Sequence, residues 1–252
     1  MSEENVLTSL PPQPHLQQYY KTDAEKRDFV RGLFDRGASG YDRAEGIMAL
    51  GTGKWYRRQA LQRAGLKQGM TILDVATGTG LVAREAIKII GDSNKLTGLD
   101  PSPGMLDLAK KQLGINAMLA YAEDIPMESA TVDFVSMGYG LRHLSDLIVG
   151  FKEFHRVLKP GGKVCILEIT RPNGRIPQFF LKSYIKVVIP VISRLTFCHK
   201  DVAVLWEYYW ETIQVCVPPE KVMQGLKSAG FVDVKRHVEL GLFSEYTGQK
   251  PS

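Results

Sequence analysis

The stretch Ile72-Leu73-Asp74-Val75-Ala76-Thr77-Gly78-Thr79-Gly80, with the apolar-periodic run 81–90 behind it, decides the fold. A short branched apolar run predicts a buried strand, and the periodicity after Gly80 predicts a helix. Glycines in the turn between them let a ligand approach the backbone, and the helix start offers N–H groups that have no partner inside the helix. A nucleotide-like ligand suits such a turn. Gly78-x-Gly80-x-x-Ala83 also satisfies the dinucleotide fingerprint, and Asp100 falls about twenty residues on, where a carboxylate takes ribose hydroxyls. On these residues alone, NAD and another adenosyl ligand both stay open. Asp74 in the last turn of a strand suits a cation better than a pyrophosphate. It reads either as an acceptor for loop N–H groups or as a carboxylate that orders the loop for a zwitterionic ligand.

Working outward, strands are predicted over 71–75, 95–99, 117–120, 132–137 and 163–170, alternating with helical patterns over 81–90, 103–112 and 147–157. Repeated strand, helix, strand means an α/β, Rossmann-like doubly wound, mostly parallel sheet, with ligands at the carboxyl ends of the strands. After a helical region over 176–215, Pro218 and Pro219 open a helix that closes at Gly230. Segments 231–237 and 240–247 then read as an antiparallel hairpin completing seven strands. The expected organisation is a loosely ordered arm over 1–25 and one domain over 26–252. Within it, 26–68 forms an N-terminal helical lid and 172–215 a helical lid insertion.

Composition supports a single globular unit: 252 residues with 44% hydrophobic and 23% charged side chains exclude collagen-like and disordered chains. The net charge of +5 (32 basic minus 27 acidic) is spread in pairs such as Arg57-Arg58 and Lys110-Lys111, without the basic stripe that nucleic acid requires. Cys165, Cys198 and Cys216 have no metal-ligand spacing, and an odd count does not suit a secreted disulfide framework. No metal and a reducing cytoplasm are therefore expected. The polar start, with Pro11, Pro12 and Pro14, has no signal-peptide pattern. The apolar stretch 176–197 is interrupted by Lys182, Lys186, Pro190 and Arg194, so it reads as amphipathic helices rather than a membrane span. Such helices lie on a core, on a lipophilic ligand or against a membrane surface, which makes peripheral membrane contact one of the readings.

Four segments together resemble the class I S-adenosylmethionine-dependent methyltransferases. They are Leu73 to Gly80, Gly98-Leu99-Asp100-Pro101-Ser102, Ala122-Glu123-Asp124-Ile125-Pro126 and Leu158-Lys159-Pro160-Gly161-Gly162. Further segments resemble the UbiE-type ubiquinone/menaquinone C-methyltransferases: Phe34-Asp35-x-x-Ala38-x-x-Tyr41-Asp42, Tyr139-Gly140-Leu141-Arg142-His143 and Leu167 to Pro172. The chain departs from that family's usual pattern at Leu81, where Asp is usual, at Tyr121, and at His143, which replaces Asn.

The resemblance implies S-adenosylmethionine lying across Thr79 and the loop of Asp74, Gly78 and Gly80. Ribose would sit on Asp100, adenine near Ala122 and Glu123, Gly138 beneath the sulfonium and Tyr41 over it. Methyl transfer is an in-line displacement, so holding nucleophile and methyl near ~3 Å and collinear can be worth roughly 7 to 11 kcal/mol. A phenolic ring carbon also needs its hydroxyl deprotonated. Arg142 is expected to hold a phenolate and His143 to accept the proton at neutral pH, with Tyr139 as a third catalytic candidate or a pocket wall. Trp206, Tyr208, Tyr209 and Trp210 read as a packing cluster or as the wall for a flat ring with a greasy tail. The expected acceptor is a small, lipophilic, aromatic or quinol-like molecule methylated at carbon. The alternatives are O- or N-methylation of another metabolite, an NAD-dependent oxidoreductase and a non-catalytic adenosyl binder.

Overall fold

The computed structural model describes residues 6–48, 52–172, 174–188 and 201–252, apart from the side chains of 39–48 and 201–203. Helix α1 (Asp23–Met48) precedes α2 (Gly53–Arg63). Then come β1 (Ile72–Val75), α3 (Leu81–Ile90), β2 (Leu96–Asp100), α4 (Pro103–Leu113), β3 (Asn116–Leu119), β4 (Val132–Gly138), α5 (Leu147–Val157) and β5 (Leu158–Ile169). The insertion holds α6 (Arg175–Ser183) and α7 (Asp201–Val215), followed by α8 (Pro219–Ser228), β6 (Val232–Glu239) and β7 (Phe243–Gln249). Cys198 and the predicted helical stretch 189–200 lie outside the described residues.

The strands form one sheet in the order β3-β2-β1-β4-β5-β7-β6. β1 pairs in parallel with β2 and β4, β3 joins β2, β5 joins β4, and the antiparallel β6–β7 hairpin adds to β5 through β7. The winding reverses between β1 and β4, which opens a crevice at the carboxyl ends of these strands. Helix starts are set locally. Ser102 caps α4 by accepting from the Met105 N–H at 3.2 Å, with Pro103 in its first turn.

The core lies in two layers. One face of the sheet packs against α5 and α8 through residues such as Phe151, Phe154 and Leu226, and the other against α2 and α3. The predicted lid over 26–68 is therefore divided. Tyr56, Ala60 and Leu61 place α2 inside the second core layer, while α1 lies across the carboxyl edge. In α7 the aromatic residues pack in both directions, Trp206, Tyr209 and Trp210 with Ile185, and Tyr208 with Tyr20 and Leu33.

Two predicted features differ. The arm expected to be loose over 1–25 is anchored from Leu7, whose N–H donates to Ser228 Oγ at 3.0 Å. Val217 donates its N–H to the Pro12 carbonyl at 2.8 Å, Leu147 to that of Leu10 at 2.9 Å, and Tyr20 is only 2% exposed. Its apolar residues and backbone groups find partners in elements more than a hundred residues away, which no local pattern reveals. Strand β5 begins at Leu158 rather than 163, because Leu158 pairs with Val132 and the Gly161 N–H donates to the Lys250 carbonyl at 3.0 Å.

Asp146 joins the arm to the sheet. It caps α5 by accepting from the Ile148 N–H at 2.7 Å, and its other oxygen accepts from the Leu10 N–H at 3.1 Å and the Ser9 hydroxyl. Asp146→Ala should lower unfolding free energy by about 1–2 kcal/mol, the usual cost of a lost helix cap. Limited proteolysis should then cut within residues 6–22 faster than in the parent, whereas an unchanged cleavage rate and melting temperature would show the cap to be idle.

Candidate cofactor site

A cavity of about 100 Å³ lies at the carboxyl ends of β1, β2 and β4. Its floor is Gly78, Thr79 and Gly138, its side Asp100, and its outer wall Val30 and Phe34 of α1. Gly78 sits at φ +55°, where a Cβ would meet nothing within 4 Å, so its missing side chain leaves the backbone here open to close approach. Gly80 is required by packing: at φ +87° a Cβ would fall 2.5 Å from Leu113 Cδ1.

The cavity concentrates backbone strain. Ala76 and Tyr139, both on its wall, hold φ of +52° and +60°, a region non-glycine residues rarely adopt. Their two loops press together at Gly140, where a Cβ would come within 2.6 Å of that of Ala76. The chain is thus bent tightly where a ligand must approach closely.

Asp100 accepts from the Gly78 N–H at 2.8 Å on one oxygen and from the Ser102 N–H at 2.9 Å on the other. Burial pushes its carboxyl up to about 6, with neighbouring Asp74 and Asp35 adding to the rise. It is ionised at neutral pH and lines the cavity, as a ribose acceptor must. Asp74 is different. It is fully buried, accepts from Ser136 Oγ at 2.6 Å and Thr77 Oγ1 at 2.7 Å, and does not line the cavity. One oxygen is taken by the turn, through Thr77, and the other by β4, through Ser136, an arrangement that fits the loop-acceptor reading.

The remaining predicted residues divide in the same way. Ala122 belongs to the core layer under α5, and Glu123 accepts from the Ser145 N–H at 2.6 Å, so neither lines the cavity as it stands. Tyr41 lies in α1, with its side chain outside the described residues. Tyr139 and His143 are on the wall. His143 stacks on Tyr208 with ring centroids 5.7 Å apart and meets the edge of Phe34 at 5.2 Å. Burial, then Arg142 and Lys26, hold the imidazole well below its ordinary range. These surroundings favour the neutral ring, which weakens His143 as an acceptor of the substrate's proton.

Arg142 is also withdrawn from this cavity. It is fully buried, with Nε on Glu168 Oε1 at 3.1 Å, Nη1 on Thr212 Oγ1 at 2.9 Å and its guanidinium 4.3 Å from the Tyr209 ring centroid. A second cavity of about 650 Å³ begins beside it, between the end of β5, the α7–α8 link and the hairpin, lined by Glu168, Thr170, Val217, Val222, Arg236 and Tyr246 among others.

Sequence reasoning missed two features. Arg57 on α2, read only as part of a scattered charge pair, is 2% exposed, lines the cofactor cavity and lies over the Tyr139 ring at 5.7 Å. Its helical spacing carries no sign of this. The second is how α1 is fastened across the crevice. Asp35 accepts from Ser102 Oγ at 2.5 Å and the Gly104 N–H at 3.0 Å, and Lys26 Nζ donates to the Leu144 carbonyl at 2.5 Å.

The family described as the ubiE/COQ5 methyltransferase family matches residues 21–250. The chain is 32% identical over 224 residues to the "Ubiquinone/menaquinone biosynthesis C-methyltransferase UbiE" of Shewanella halifaxensis, covering 85% of this chain and 88% of that one. It is 35% identical over 216 residues to the "Demethylmenaquinone methyltransferase" of Chlorobaculum tepidum, covering 82% and 86%. Among solved structures, a SAM-dependent methyltransferase from Aquifex aeolicus superposes with a TM-score of 0.57 at 22% identity, over 82% of this chain and 97% of that one, which shows the shared fold.

An ionised Asp100 should be needed to accept a ribose hydroxyl, and its carboxyl titrates near 6. The affinity for an adenosyl ligand should therefore be level above pH 7 and fall below pH 6, where the acid is protonated before binding. Asp100→Asn should flatten that profile and weaken binding by about 1.5–3 kcal/mol, the range for hydrogen bonds to a charged group. Calorimetric titration between pH 5 and 8 measures both effects, and a parent profile as flat as the variant's would assign Asp100 to loop support alone.

Proposed function

Because the chain belongs to the ubiE/COQ5 methyltransferase family, we propose that it transfers a methyl group from S-adenosylmethionine to a ring carbon of a quinol-like acceptor. Family membership removes the oxidoreductase alternative. When bound, S-adenosylmethionine supplies a methyl group on a cationic sulfur. The observation that supports its fit is the pairing, in one cavity, of an ionised Asp100 with the Arg57 guanidinium. Asp100 would take the ribose hydroxyls and Arg57 the amino-acid carboxylate, while Gly78, Thr79 and Gly80 bring backbone close to the ligand and Gly138 leaves room under the sulfur.

The chain's own part in the reaction is positioning and exclusion of water. Helix α1 covers the crevice, and the apolar ring wall of Phe34, Tyr139 and neutral His143 keeps the reacting region dry. A dry wall strengthens the interactions that orient the two substrates. Arg142 supplies a fixed positive charge behind that wall, and Tyr139 shapes it from its strained backbone position.

The quinol acceptor is supported by the activities for which the relatives are named. Purified protein incubated with methyl-labelled S-adenosylmethionine and a reduced 1,4-naphthoquinone lacking its ring methyl should yield label at a ring carbon, read by mass spectrometry and NMR. The oxidised quinone should stay unmethylated, since it has no ionisable hydroxyl. Label on oxygen, or on nitrogen of another metabolite, would replace this reading. Arg57→Leu should raise the S-adenosylmethionine dissociation constant by about 10- to 100-fold through a lost charged hydrogen bond.

Peripheral membrane contact fits the same acceptor. On α6, Ile176, Phe179 and Phe180 are 71%, 65% and 66% exposed, flanked by exposed Arg175 and Lys182, the pattern of a helix lying in a lipid interface. Among the described residues no helix is long and apolar enough to cross a membrane. Co-sedimentation with vesicles containing anionic lipid should be clear for the parent and largely lost in Phe179→Ser/Phe180→Ser. Equal sedimentation of both would rule out α6 as the contact.

A further inference from the structure

Arg142 and Glu168 form an ion pair that is left half open. A side-on arginine–carboxylate fork uses two parallel bonds, from Nε and Nη2 to the two carboxylate oxygens. The chain closes such a fork elsewhere, with Arg63 Nε on Glu245 Oε2 and Nη2 on Oε1, both at 2.9 Å. In the Arg142 pair only Nε to Oε1 is made, at 3.1 Å. Oε1 also accepts from the Ile169 N–H at 2.8 Å, and Nη1 is held by Thr212 Oγ1 and the Tyr209 carbonyl. Nη2 and Oε2, the two atoms that would complete the fork, are buried without a hydrogen-bond partner among the described residues. An unsatisfied donor and acceptor side by side in the interior are costly unless a third group enters between them.

The group that fits is a hydroxyl, which accepts from Nη2 and donates to Oε2. Glu168 lines the 650 Å³ cavity, and Leu141, the neighbour of Arg142, lines it too, so the fork lies directly behind the wall of a space large enough for a ring and its tail, with Arg142 itself covered. On the other side of Arg142, His143 and Tyr139 line the cofactor cavity. Resting on the acceptor reading above, we infer that the open Arg142–Glu168 fork seats the acceptor's ring hydroxyl and that Glu168 Oε2 is the base that removes its proton.

The step balances on groups already named. The O–H bond breaks, its proton goes to Oε2, and the electron pair becomes a phenolate lone pair held by Nη2. That pair, conjugated through the ring, forms the new carbon–methyl bond as the sulfur–methyl bond breaks and its electrons return to sulfur. The ring carbon then loses its hydrogen as a proton to solvent, and the ring oxygen takes back the proton from Glu168. Burial holds the Glu168 carboxyl above its ordinary range, which makes it a better proton acceptor than an exposed carboxylate. Neutral His143, with its depressed range, is not needed for this task.

Glu168→Gln keeps the shape and removes the base. With the quinol acceptor, kcat should fall by about 10²–10⁴ while the S-adenosylmethionine dissociation constant stays near the parent's. Repeating the pair of measurements with a fluorinated quinol, ionised before it binds, should bring the parent-to-variant ratio toward unity. A purely structural Glu168 would leave the ratio the same for both acceptors, and that result overturns the inference. Because Glu168→Gln leaves Arg142 unpaired, Arg142→Met/Glu168→Met serves as a second variant that buries no charge. It should bind S-adenosylmethionine and lose turnover, and near-parent kcat in whichever variant folds also overturns the inference. If the parent itself methylates no quinol, the acceptor reading falls and this inference with it. If the parent does so and the variants match it, only the inference falls.

Discussion

Two carboxylates buried at the ends of adjacent strands, Asp74 on β1 and Asp100 on β2, are the constraint on which the site depends. Burial pushes both up to about 6, so each stays ionised at neutral pH only by collecting donors. Asp74 collects hydroxyls from the turn and from β4, and Asp100 collects the N–H groups of Gly78 and Ser102. Satisfying those oxygens draws three loops to one point. The strained turns at Ala76 and Tyr139 are held in place by that convergence.

The short segment 139–143 after β4 divides two spaces. Tyr139 and His143 face the cofactor side, while Leu141 and Glu168, the partner of buried Arg142, face the larger cavity under the hairpin. Helix α1 closes the donor side through Asp35 and Lys26, polar clips that can be released without disturbing the sheet. Lys26 is buried enough that its ammonium is pushed down to about 8.

The parallel sheet, its switch point, the cofactor turn and Asp100 were legible in the chain itself, because each rests on local physics. Alternating strand and helix periods impose right-handed crossovers, glycines at Gly78 and Gly80 mark backbone that must be approached closely, and a carboxylate one strand on meets a sugar. The hairpin after Gly230 was legible for the same reason: its three-residue turn over 240–242, with Leu240 and Gly241 at positive φ, is a local device.

What only the tertiary structure decided are the roles that depend on who is nearby. Whether Asp74 faces the ligand or the loop, whether His143 is charged, and whether Arg142 meets solvent or Glu168 are all set by burial and by charges brought from distant segments. Arg57, on a helix with no distinguishing pattern, became part of the site because α2 packs into the core against α3 and β5. The arm over 6–22 reads as loose by composition and is fixed by partners near residues 146, 217 and 228. Periodicity and turn chemistry act over a few residues and so are written along the chain, whereas solvation and pairing act through space and exist only once the chain has folded.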